Sequence, residues 1–143
     1  MDYPVINIEK KHIKSVAELE KICFPCPWSE EQFSDALKDK FIELLGICTE
    51  EDIIISYLLC SHIGDYAEIL NIATHPDFRG QGLAKKLLNF WISQPELAHV
   101  HIVLEVREKN IPAQNLYAQF GFKQIHVRKK YYGDEDALVM ERQ

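Results

Sequence analysis

His75-Pro76-Asp77-Phe78-Arg79-Gly80-Gln81-Gly82-Leu83-Ala84-Lys85-Lys86-Leu87-Leu88 follows directly on an apolar stretch, Ile69-Leu70-Asn71-Ile72-Ala73. An extended segment thus runs into a glycine-bearing turn, and the turn into an amphipathic helix. Such a helix start leaves backbone N–H groups without intrahelical partners, which makes it a ready anion site. Gly80 and Gly82 lack the side chains that would hold a ligand off the backbone. Ala84 lets the first turn approach its surroundings closely. The segment suits a phosphate-bearing ligand, although an ordinary turn before an ordinary helix would have the same outline.

Two familiar phosphate motifs do not fit. The nucleotide P-loop needs Gly-Lys followed by Ser or Thr, and neither residue follows Lys85 or Lys86. The dinucleotide fingerprint needs a third glycine where Lys85 stands, and an early strand rather than one in mid-chain.

The whole chain sets further bounds. Its 143 residues suit a single domain spanning 1–143 with one continuous core. A composition of 47% hydrophobic and 27% charged residues is that of a soluble globular protein. No apolar run approaches the ~20 residues of a membrane span, and Met1-Asp2-Tyr3-Pro4 lacks the basic-then-apolar order of a signal peptide. A cytoplasmic location without membrane association is expected. The net charge of −6 argues against a nucleic-acid partner, which calls for a surplus of Lys and Arg.

Of the four cysteines, Cys23 and Cys26 have the spacing of a redox or zinc half-site. No second cysteine pair or histidine array completes a tetrahedron, so no metal is expected. Cys48 and Cys60 lie in apolar runs and read as small core residues.

Residues 3–8 alternate as a short strand, and Ile13, Val16, Leu19, Glu20 and Ile22 form a helical stripe ending near Cys23. Two prolines keep Phe24-Pro25-Cys26-Pro27-Trp28 irregular. Ser29-Glu30-Glu31-Gln32 is a capping box that starts a helix through about Leu37. Strands are expected at 41–48, 53–62 and 66–74, antiparallel because turn residues separate them. A helix from Gly82 carries Leu83, Leu87, Leu88 and Trp91 on one face. Residues 101–107 form another strand. Asn110 then caps a helix with Ala113, Leu116, Tyr117 and Phe120 on one side, which Gly121 ends. Strands at 123–132 and 136–141 close the chain around a two-residue turn, Gly133-Asp134. The order β-α-α-β-β-β-α-β-α-β-β implies an α/β (α+β) fold with a mixed sheet and helices on both faces.

Arg79-x-x-Gly82-x-Ala84 resembles the pyrophosphate-binding signature of the GNAT acetyltransferases. Leu104-Glu105-Val106-Arg107-x-x-Asn110-x-x-Ala113-x-x-Leu116-Tyr117-x-x-x-Gly121-Phe122 is similar to the cofactor-side pattern of their amino-terminal acetyltransferases. Tyr131-Tyr132 with Glu135-Asp136-Ala137-x-x-Met140 resembles their C-terminal hairpin, and Pro27-Trp28-Ser29 their Pro-Trp-Ser turn. The likeness runs from Phe24 to Met140 and is strongest to the bacterial branch acting on ribosomal-protein alanine. It implies the GNAT fold, a mostly antiparallel sheet of six to seven strands with four helices, splayed at an acetyl-CoA cleft.

For the cosubstrate, the resemblance implies the backbone of Ile72, Ala73 and Thr74 for the pantetheine arm. Arg79, Gly80, Gln81, Gly82, Leu83, Ala84 and Lys85 would hold the phosphates, with Asn110 as a further contact. It implies Glu105 as catalytic base, Tyr117 as acid, and Trp28 and Tyr131 on the peptide side. The partner implied is the amino terminus of a protein, a ribosomal protein in that branch.

Elementary chemistry agrees. An α-amino group has a pKa of about 7.7–8.0, so a useful minority is neutral at pH 7, whereas a lysine near 10.4 is about 2.5 units harder to deprotonate. A carboxylate base is therefore adequate for a chain end. Glu105 inside Ile102-Val103-Leu104-Glu105-Val106 is costly unless paired or used. By itself the run allows a salt bridge to Arg107 or a lysine as readily as catalysis. Tyr117, taken alone, suits a packed core, and Trp28 after prolines suits a core plug. A small-molecule or lysine acetyltransferase, or a CoA-binding module without catalysis, are the rival readings.

Overall fold

In the computed structural model, which describes residues 3–143, one seven-stranded sheet organises the chain. Met1 and Asp2, part of the amino-terminal segment read above for a leader, lie outside the described residues. The strands are β1 (Ile6–Asn7), β2 (Ile42–Cys48), β3 (Ile54–Ile63), β4 (Tyr66–Thr74), β5 (His101–Arg107), β6 (Lys123–Arg128) and β7 (Ala137–Arg142). They lie in the order β1-β2-β3-β4-β5-β7-β6, and every pair is antiparallel except β4 with β5. The helices are α1 (Ile13–Cys23), α2 (Glu30–Lys38), α3 (Leu83–Ile92) and α4 (Ile111–Gln119).

Period decides where each element sits. Within β3 the side chains of 57–60 alternate between the two faces. Tyr57 and Leu59 join Val16, Leu19 and Phe33 of α1 and α2, whereas Leu58 and Cys60 join Leu87, Leu88 and Trp91 of α3. The expected capping box forms: Ser29 Oγ accepts from Gln32 N–H at 3.1 Å, and Gln32 Oε1 accepts from Ser29 N–H at 2.9 Å. Asn110 Oδ1 caps α4 by accepting from Ala113 N–H at 3.2 Å.

Two strand expectations are corrected. The amino-terminal strand shrinks to a two-residue pairing with Leu45 and Gly46. The last hairpin has no two-residue turn: β6 stops at Arg128 and β7 begins at Ala137, so residues 129–136 form a longer loop. The reason is local. Asp136 Oδ1 accepts from Lys130 N–H at 2.8 Å, and Lys130 itself turns left-handed (φ 51°), so neither can continue a ladder. Gly133-Asp134 forms the tip of that loop, closed by Tyr132 N–H donating to Glu135 O at 3.0 Å.

The parallel pair β4–β5 runs in register only from Tyr66/His101 to Ile69/Leu104. On the other edge of β4, Leu59 faces Asn71 while Cys60 faces Ile69, so Leu70 is an extra, bulged residue at the point where the strands part. β5 continues along β7 to Arg107. A wedge opens between β4 and β5, and both α3 and α4 start at its mouth.

Leu88 is fully buried beneath α3. Leu88→Ala should lower unfolding free energy by about 2–5 kcal/mol, read as a lower urea midpoint at unchanged m-value.

Candidate active site

Two cavities fill the wedge. One, of about 600 Å³, lies along the end of β4 and the start of α3. Ile72, Ala73, Thr74, Arg79, Gly80, Gly82, Leu83, Ala84 and Lys85 line it, with Pro112 and Ala113 of α4 opposite. Gly80 (φ 81°) and Gly82 (φ 75°) are left-handed, a backbone that side chains rarely adopt, and a Cβ on either would meet no protein atom within 4 Å. Gly82 is the N-cap of α3. It offers no side-chain cap, and the first turn of the helix contains no acidic residue. The N–H groups of that turn are therefore open to an anion, and the helix dipole favours one. Arg79 crosses the turn, its Nε donating to Thr74 O at 3.1 Å. Along β4 beyond Ile69, the edge facing β5 carries no strand partner, which leaves backbone groups for an extended ligand.

The second cavity, of about 510 Å³, lies across the bulge. Its walls are the Phe24–Trp28 turn, Leu70 and Asn71 of β4, Glu105 and Arg107 of β5, Tyr117 of α4, and Tyr131-Tyr132 of the last loop. Phe24, Ile72, Asn110 and Ala113 border both cavities, so the two are contiguous. Glu105 is ion-paired with Arg128, whose guanidinium stacks 4.5 Å from the Tyr131 ring centroid. The same carboxylate, as hydrogen-bond acceptor and as a charge, raises the Tyr131 pKa. Arg107 pairs with Glu135 at 3.2 Å and lies 4.1 Å over the Tyr132 ring. Tyr117 is 4% exposed, and burial pushes its pKa well up. Burial likewise raises the Cys23 thiol, with Arg79 offsetting it only in part.

The same sheet and helix order is found in proteins of known function. Residues 13–122 match the family model described as "Acetyltransferase (GNAT) family". The chain belongs to the GNAT acetyltransferases. It is, accordingly, an acetyl-CoA-dependent N-acetyltransferase. The [ribosomal protein bS18]-alanine N-acetyltransferase of Haemophilus ducreyi is 35% identical over 140 residues, covering 94% of this chain and 95% of that protein. The crystal structure of the ribosomal-protein-S18-alanine N-acetyltransferase from Escherichia coli superposes with a TM-score of 0.86 at 26% identity, over 98% and 92% of the two chains. Arabidopsis thaliana NAA60 shares the fold at 15% identity, with a TM-score of 0.88 over 99% and 97%.

Within this GNAT frame the structure gathers nearly all the residues singled out in the sequence. Gln81 alone among the phosphate-turn residues does not line the first cavity. Asn110 caps α4 and borders both cavities. Trp28 plugs the α1–α2 core, 5.3 Å from the Phe33 ring, and lines the second cavity as well. The salt bridge weighed for Glu105 exists, but its partner is Arg128 on β6 rather than Arg107 or a lysine.

Sequence reading missed Glu20. It counted as one member of an apolar stripe, yet it is a buried carboxylate at 1% exposure on the wall of the second cavity. The signal was present: an acidic residue within a core-facing helical stripe is costly without a partner.

Away from the wedge, His12, Cys48 and Asp52 offer atoms within 4.8 Å of one another. Glu9 N–H donates to His12 Nδ1 at 3.0 Å, so the ring proton sits on Nε2, 3.5 Å from Asp52 Oδ1. That arrangement is a hydrogen-bonded turn, since a metal would need the Nε2 lone pair. Among the described residues, no helix is long and apolar enough to cross a membrane.

Gly82→Val should weaken acetyl-CoA binding by more than about tenfold, because the added side chain enters the ligand's approach to the α3 amides. Strain from the left-handed backbone should cost about 1–2 kcal/mol of stability besides. Titration calorimetry against a thermal melt separates the two effects.

Proposed function

We propose that this enzyme acetylates the α-amine at the amino terminus of a protein, with Glu105 as base and Tyr117 stabilising the leaving thiolate. The observation that carries the reading is the continuity of the two cavities at Ile72, Asn110 and Ala113. A thioester held along β4 ends there, at the cavity that Glu105 and Tyr117 line. Its other walls, the Trp28 turn and the Tyr131-Tyr132 loop, suit a chain end entering with its first side chains.

The steps balance simply. The neutral amine attacks the thioester carbon and forms the amide C–N bond. Its proton passes to Glu105, directly or through water, while the C–S bond breaks and the electron pair leaves with sulfur. Arg128 donates to Glu105 Oε1 and so fixes the carboxylate at the cavity wall. A phenol near pKa 10 already lies about 2 kcal/mol uphill of full transfer to a thiolate whose parent thiol is near 8.5. Burial raises Tyr117 further, which favours a hydrogen bond to the developing charge over complete transfer. Cys23, raised by burial, is a poor nucleophile, and direct attack on the thioester follows.

The relatives' names support a ribosomal-protein terminus beginning with alanine as the acceptor. Acetylation of the α-nitrogen of a peptide with free N-terminal alanine, read by mass spectrometry, tests this. The same peptide blocked at its terminus and carrying an internal lysine should react much more slowly at neutral pH, its amine being about 2.5 pK units more protonated. A faster blocked lysine peptide would overturn the N-terminal assignment.

Glu105→Gln should lower turnover about 10²–10⁴-fold while leaving acetyl-CoA affinity near that of the parent. The defect should shrink as pH rises through about 8, because more of the α-amine is then neutral without a base. A defect independent of pH would identify Glu105 as a structural partner of Arg128 instead.

A further inference from the structure

Three side chains of fixed charge line the acceptor cavity: Glu20, Glu105 and Arg107. Two of them already have counter-ions, Arg128 for Glu105 and Glu135 for Arg107. Glu20 is different. Among the described residues it has only neutral donors: Trp28 N–H at 2.8 Å, Asn71 Nδ2 at 2.8 Å, and the Tyr57 hydroxyl. Asn71 Nδ2 also reaches the Tyr57 oxygen at 3.3 Å, which directs the tyrosine's own proton toward Glu20. Donors on every side are the surroundings of an ionised carboxylate, which offers about four acceptor positions. Three are filled here.

A charge at 1% exposure without a counter-ion is costly to bury, and hydrogen bonds from neutral groups offset that cost without cancelling the field. The field reaches the neighbouring cavity, where low-dielectric walls keep it from being screened. The acceptor proposed above arrives mostly as an ammonium ion. Resting on that reading, we propose that Glu20 is the specificity-determining carboxylate that recognises the cationic amino terminus, leaving proton removal to Glu105. The cation missing from the Glu20 site is the substrate's own.

The test compares one alanine-initiated peptide with its N-acetylated form, binding to the enzyme–CoA complex by calorimetry at about pH 6, where the free α-amine is almost wholly protonated. The parent enzyme should prefer the free amine by about tenfold. Glu20→Gln should bring the two peptides within about twofold of each other, with affinity for CoA unchanged. Equal weakening of both peptides would reduce Glu20 to a structural fastener and overturn the proposal. So would a preference that survives the substitution, or a parent enzyme without one. If Glu20→Gln does not fold, the pH dependence of the parent enzyme decides: its preference for the free amine should fade as pH rises through about 8, where the α-amine loses its charge, and a preference that does not change with pH would overturn the proposal. Failure of the N-terminal reading itself shows separately, as absence of α-acetylation by the parent enzyme with acetyl-CoA.

Discussion

The parting of β4 and β5 beyond the Ile69–Leu104 pair is the constraint on which the rest of the molecule depends. Parallel neighbours would ordinarily satisfy each other's backbone groups along their whole length. Here the Leu70 bulge changes the course of β4 just where pairing stops, while β5 keeps its bonds to β7. One edge of β4 is left without a strand partner. Because the two strands run the same way, the helices that follow them both begin at this opening. Two positive helix ends therefore converge on it. Both cavities are consequences of a single interruption in the sheet.

Charge along the opening is arranged with economy. The start of α3 offers backbone amides without a side-chain cap, a geometry that suits an anion without desolvating a side-chain cation. Across the bulge, Glu105–Arg128 and Arg107–Glu135 form two ion pairs, each stacked on a tyrosine of the 129–136 loop. Those tyrosines are wall residues whose positions depend on the pairs beneath them. Lys109 N–H adds a third tie by donating to Glu135 Oε2 at 2.9 Å, joining the loop to the segment before α4. The loop is therefore anchored at its base even though its tip projects.

Glu20 plays the corresponding part on the other wall. Its carboxylate links the end of α1, the Trp28 turn, Tyr57 of β3 and Asn71 beside the bulge. The deepest point of the α1–α2 core and the floor of the acceptor cavity are the same set of atoms. A buried network of this kind fixes geometry well when fully satisfied and fails when one member is lost.

What the sequence by itself determined was local and periodic. Helix stripes, the Ser29 and Asn110 caps, the glycine turn before α3 and the element order follow from contacts spanning a few residues, so they are legible in a linear reading. Recognition of Arg79-x-x-Gly82-x-Ala84 and of the Glu105–Tyr117 spacing rested on the same short range. Tertiary structure alone decided which charges meet. Arg128, 23 residues from Glu105, became its partner only because β7 lies between β5 and β6 and the Arg128 side chain reaches across it. Glu20, read as one point on an apolar stripe, became a buried, hydrogen-bonded wall of the cavity because Asn71, 51 residues away, and Tyr57 fold over it. The last hairpin lengthened because Asp136 captured the Lys130 amide. Burial and charge pairing depend on distance in space, which sequence spacing does not encode.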